Sequence, residues 1–206
     1  QDTTTGAQNT SVGTYSMLQN TTGGNNTALG YYALGNNTTA IQNVAVGVGA
    51  MQNNVSGNNC VAIGYNALDA ANTGDFNVAI GRTSLTVNTS GTQNQAMGVD
   101  SMESNTTGSY NTALGASALR FNVSGNYNTA VGNQALRNCT TSDKTAVGFQ
   151  ALYNVTTGLT QAAFGKNALY NVTTGNYNNA FGEAAGFSIT TGQQNVLMGG
   201  SAGRGI

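Results

Sequence analysis

Seven acidic residues are the first candidates for chemistry: Asp2, Asp69, Asp75, Asp100, Glu103, Asp143 and Glu183. Asp100 and Glu103 are close enough in sequence to suggest the paired carboxyls of glycoside hydrolysis. The others are scattered and read as solvated surface charges, so catalysis is not expected. There is no histidine, and Cys60 and Cys139 are the only thiols. That supply falls short of a zinc site, so neither metal nor cofactor is expected. A second kind of chemistry is modification. Asn-x-Ser/Thr triplets make Asn20, Asn37, Asn54, Asn88, Asn105, Asn122, Asn138, Asn154 and Asn171 candidate glycosylation sites at one exposed corner. Asn36 overlaps this set, and Asn9 and Asn25 add matches off the corner. The same residues are ordinary turn formers that generate such triplets by composition alone. The third kind is stacking: Phe76, Tyr110, Tyr127 and Tyr177 recur at one position of a repeat, and Tyr153, Tyr170 and Phe187 at another. Exposed rings in a column could bind sugars, or could simply stabilise a parallel sheet.

What positions these residues is a period. Twelve glycines (Gly13, Gly30, Gly47, Gly64, Gly81, Gly98, Gly115, Gly132, Gly148, Gly165, Gly182 and Gly199) lie 17 apart, with one step of 16. The repeat spans essentially all 206 residues, so the chain reads as one repeat domain, 1-206. The residue before each anchor is large and apolar, from Val12 to Met198, and two before it stands Ala in ten of twelve turns. Four before it stands Asn in nine, with Cys60, Lys144 and Gln161 in the rest. Ala or Ser follows three after every anchor, and Leu or Met four after it in ten turns, until Gly186 and Gly203 take that place.

Two glycines per turn, with Asn, Thr and Ser between, are poor helix material. The intervening segments, such as Val44-Ala45-Val46, have strand length and β-branched character. The pattern predicts an all-β parallel β-solenoid of about twelve turns, two short strands per turn, each turn rising about 4.8 Å. The large residue before each anchor is expected to face the Leu or Met four after it across the coil. Both faces of the strand before each anchor are small or apolar, which predicts self-association along the rod, most simply about a cyclic axis. At about 4.8 Å per turn, Cys60 and Cys139 stand roughly 20 Å apart, beyond disulfide reach. Cys60 reads as buried and inert, and Cys139 as a corner residue.

Composition limits the partners. Charged residues are 6% of the chain and the formal net charge is −1. Neither supplies an electrostatic footprint for nucleic acid or an anionic membrane. No apolar run approaches the roughly 20 residues of a spanning helix. The six Lys and Arg residues (Arg82, Arg120, Arg137, Lys144, Lys166 and Arg204) form no cluster in sequence. The sequence starts at Gln1 without an initiator Met and reads as a processed chain or a segment. From Gln1 to Ile206 it begins and ends near the same corner, with first and last turns in pattern, so the expectation is either that neighbouring domains were cut away or that copies stack head to tail into a fibril.

The string Asn-Thr-Ala-Leu-Gly-x-x-Ala-Leu at Asn26–Leu34 and Asn111–Leu119 resembles the head repeats of YadA-like trimeric autotransporter adhesins. Similar strings occur in bacteriophage tail fibres. Asn77–Gly81 and Asn128–Gly132 match the same motif. The turn here is a few residues longer, through its Asn-Thr-Thr-Gly insert, and none of the 206 residues reads as a neck, stalk or anchor segment. The resemblance implies a left-handed β-roll, three chains about one axis, and an extracellular, cell-surface or virion location. It implies a structural fibre or adhesin module partnered by itself, or alternatively a head or shaft that binds a receptor or cell-surface glycan. A head should carry loops that break the period. Only the short step near Asp143 and the altered final two turns do so, which favours a shaft.

Overall fold

In a computed structural model, which describes residues 6–204, the chain is an all-β parallel solenoid. Gln1, Asp2 and Ile206 lie outside the described residues. Among the described residues twelve strands, β1 (Thr10–Val12) to β12 (Val196–Met198), form one sheet in sequence order. Every neighbouring pair is parallel and in register: Ala28 lies beside Ala45, and Ala45 beside Ala62. Each step is one period, so residues 17 apart in sequence are side by side. The step from β8 (Thr129–Val131) to β9 (Lys144–Val147) is the short one, pairing Thr129 with Thr145. It is absorbed at the preceding corner, where the Thr141 carbonyl accepts from Asn128 Nδ2 at 2.8 Å in place of the usual glycine carbonyl.

The turn contains one strand, not the two expected. The segment after each anchor is stacked turns, because its alternate residues are left-handed: Tyr32 at φ 56° and Leu34 at φ 50° cannot lie in an extended strand. These turns still hydrogen-bond from coil to coil, Leu34 N donating to Ala50 O at 3.0 Å and Met51 N to Ala67 O at 3.0 Å. The anchors explain their own invariance. Gly30 sits at φ 138°, and a β-carbon there would lie 2.4 Å from the Gly47 carbonyl oxygen. No L side chain fits both the dihedral and the close stacking of turns.

The expected facing of side chains is also corrected. A strand of three residues points its middle residue to one side and its ends to the other. Here the middle Ala is fully buried (Ala28, Ala45, Ala62), whereas the large residue before the anchor faces outward. Leu29 is 48% exposed, Leu114 45% and Met198 75%. The lumen is too narrow for two large side chains per turn. Leu34, Met51 and Leu68, four after their anchors, fill it against Ala28, Ala33 and their equivalents.

Two columns of asparagine complete the interior. In the first, four before the anchor, Asn26 Oδ1 accepts from Asn43 N at 2.9 Å while Asn26 Nδ2 donates to Ala40 O at 2.8 Å. In the second, on the far side of the coil, amides join side chain to side chain. Asn88 Nδ2 donates to Asn72 Oδ1, Asn105 Nδ2 to Asn88 Oδ1, and Asn122 Nδ2 to Asn105 Oδ1, each at 2.9 Å. Above Asn122 the same column becomes Cys139, Val155, Val172 and Ile189, all buried. This second column thus changes from amide-bonded to apolar along its length, while the first stays polar through Asn128, Lys144, Gln161 and Asn178.

Candidate functional site

The candidate glycosylation residues divide by position. Asn20, Asn37, Asn54, Asn88, Asn105 and Asn122 are not at an exposed corner; they are the second interior column and are fully buried. Their amide nitrogens, the atoms a glycan would take, already donate inward, as Asn88 Nδ2 does to Gly91 O at 2.9 Å. A folded turn offers neither access nor a free N–H. Asn138, Asn154 and Asn171 stand one residue earlier in their turns and are partly exposed. The difference is legible only after the period is counted, because the triplet itself is the same.

The four aromatics lie on the surface, each five before its anchor with positive φ. Phe76 is 54% exposed, Tyr110 47%, Tyr127 61% and Tyr177 48%. Tyr110 and Tyr127 stack on each other at 5.1 Å and 11°, so each covers one face of the other. Phe76 has Asn59 and Gln93 as its column neighbours, and Tyr177 has Thr160 and Gln194. The four are therefore one pair and two single rings, not a continuous platform.

Asp100 and Glu103 are brought together, and arginines hold both. Asp100 Oδ1 is 3.0 Å from Arg82 Nη2 and accepts from Thr83 Oγ1 at 2.6 Å. Arg120 spans the pair, 2.5 Å from Glu103 and 3.9 Å from Asp100. Lys166 pairs with Glu183 at 3.0 Å. The thiols are free and enclosed. Burial pushes the Cys60 thiol up to about 11 and raises that of Cys139. Cys139 is thus an interior residue rather than a corner one. Lys144, buried in the first asparagine column, donates to Thr141 Oγ1 and to Ser142 O, and burial lowers its pKa. Among the described residues no three His, Cys, Asp or Glu converge, and no helix is long and apolar enough to cross a membrane.

Two further surface features emerge once the turns are stacked. One is the outward row formed by the residue before each anchor, running from Val12 to Met198. It includes Phe164 and Phe181, stacked at 5.0 Å and 3°. A shallow depression of about 70 Å³, lined by Gln95, Met97, Thr112, Ala113 and Leu114, lies along it. The other is a column five after the anchor, where Arg120 and Arg137 are followed by the rings of Tyr153, Tyr170 and Phe187 and then by Arg204. Counting charges along the chain hides it, because its members are 16 or 17 residues apart. A larger open depression, about 310 Å³, is lined by Ser188, Ile189, Thr190, Gly192 and Asn195 and carries no charged side chain.

These features define a parallel β-solenoid whose sheet face carries one outward apolar row. No family model, curated protein or solved structure matches the chain.

Proposed function

We propose that the chain is an extracellular structural fibre or adhesin module that works by self-association along its sheet face. The observation that carries this reading is the outward row before the anchors, apolar in all twelve turns. An isolated rod leaves that row in water. Burying the exposed half of each such side chain against another copy contributes about 1 kcal/mol per residue. Copies placed side by side match row to row at a common axial spacing, which cyclic symmetry provides without mismatch. Three chains about one axis, with the β-roll left-handed, is the form that the resemblance to YadA-like head repeats adds. End-to-end stacking into a fibril is the lengthwise form of the same association. A scarcity of charge and a repeated surface suit a cell-surface or virion shaft, where length is the function.

Sedimentation equilibrium tests this. The purified chain is expected at a small integer multiple of 20.9 kDa, three for a trimer. Leu114→Lys combined with Ile80→Lys, both on the outward row, is expected to return it to a single chain with its β spectrum intact. A single-chain mass for the unaltered protein at high concentration would overturn the proposal.

A further inference from the structure

Five residues after each anchor, the solenoid carries a column whose upper half is unlike the rest of the surface. Arg137 lies over two rings, its guanidinium carbon 4.8 Å from the Phe121 centroid and 5.6 Å from that of Tyr153. Tyr153 stacks on Tyr170 at 5.1 Å and 9°, and Tyr170 on Phe187 at 5.4 Å and 13°. Arg204 follows, 6.0 Å from the Phe187 centroid. The column is therefore a three-ring ladder with a guanidinium at each end, four turns or roughly 19 Å apart.

The two guanidiniums differ from the other surface cations. Arg82, Arg120 and Lys166 each have a carboxylate within 4.0 Å, whereas Arg137 and Arg204 have none among the described residues. Arg137 makes its hydrogen bonds through Nη1 alone, to Tyr153 Oη at 3.2 Å and Asn138 Oδ1 at 3.3 Å, and its Nε is buried without a partner. A planar fork of this kind is suited to a carboxylate. The rings point the same way. Stacked along the rod, they cover one another's faces and present their edges, which carry the positive part of the ring quadrupole. Guanidiniums and ring edges together favour an anion.

We propose that this column binds an acidic polysaccharide of the polyuronate class, laid along the rod with carboxylates at Arg137 and Arg204 and sugar hydroxyls on the tyrosine edges between. The column repeats once per turn, about 5 Å, as a chain of sugar units requires. A peptide strand fits less well, because the corner's backbone is already spent. The carbonyls of Arg137, Tyr153 and Tyr170 accept from Phe121, Asn138 and Asn154 of the preceding turns, leaving no edge to extend. Nucleic acid fits less well again, since two unpaired cations release few counterions.

Binding of polygalacturonate to the unaltered protein, followed by calorimetry at low salt, tests this. Arg137→Gln is expected to weaken binding about fivefold or more, the loss of one charge-assisted contact, and Arg204→Gln to weaken it similarly. The methyl-esterified polymer, uncharged but of the same backbone, is expected not to bind. Melting curves of both variants guard against misfolding, and Arg204, in the last described turn, is the substitution least coupled to packing. The proposal is overturned if polygalacturonate does not bind, if both variants bind it unchanged, or if the esterified polymer binds equally. Equal or tighter binding of polyglutamate would overturn the polysaccharide assignment.

Discussion

Asn105 holds two neighbours at once, donating to Asn88 and accepting from Asn122. Replacing it by Val, the residue that fills this column higher up, leaves a buried acceptor and a buried donor with one bond fewer each. Asn105→Val is expected to lower the unfolding free energy by about 1–3 kcal/mol in a urea titration. A change below a few tenths would mean that the column is not a bonded ladder. Cys60 offers a second test. Its thiol is fully buried and pushed up to about 11. It should resist iodoacetamide at pH 8 in the native protein and react fully in urea. Lys144 supplies a third. Burial holds its folded-state pKa below the ordinary 10.5, so the unfolded chain binds that proton more tightly. Its contribution is least favourable where it is charged in both states, and improves as pH rises towards the unfolded value. The melting temperature should therefore rise from pH 7 to 10 relative to that of Lys144→Met. At this scale the sequence was half legible. The Asn four before the anchor, present in nine of twelve turns, could be placed in one column from the period alone. The second column was read as glycan sites because turn chemistry and ladder chemistry use the same residues.

The strand and its corner were legible as elements for different reasons. Glycine at constant spacing demands a backbone that only glycine adopts, and Gly115 shows the demand directly. It sits at φ 140°, with a β-carbon position 2.5 Å from the Gly132 carbonyl oxygen. Gly115→Ala is expected to cost on the order of 3 kcal/mol by chemical denaturation. A neutral result would show that the turns are not stacked this closely. Strand count was not legible. Leu34 and Leu119 look like strand residues by type, yet both stand at positive φ (50° and 51°), held there by burial in the lumen. Local preference yields when one large side chain per turn must reach a narrow interior. For the same reason the outward orientation of Leu29 and Leu114 was misjudged. Their size suggested a core that Leu34 and Leu119 already occupy.

A solenoid is a sum of similar turns, each contacting its neighbours, so whole turns are interchangeable where parts of turns are not. Removing residues 99–115, one full period between two anchors, should leave a cooperatively folded β protein with modestly reduced stability. Removing eight of them should abolish the fold, because every later Ala would be carried out of register. Circular dichroism on the two deletions separates these outcomes. At the scale of the molecule the period was the most legible feature. The column of Tyr153, Tyr170 and Phe187 follows from that period, whereas the guanidiniums of Arg137 and Arg204 at its ends were not legible, since they meet the rings only after turns are stacked. The central claim is that the apolar row before the anchors is a surface between rods and not a surface in water. Electron cryomicroscopy of the purified chain measures this most directly. The account predicts particles of several parallel rods with a layer spacing of about 4.8 Å, Leu29 and Leu114 at the shared axis, and the Arg137 column outside. Single rods whose Leu29–Leu114 face meets only solvent would contradict it.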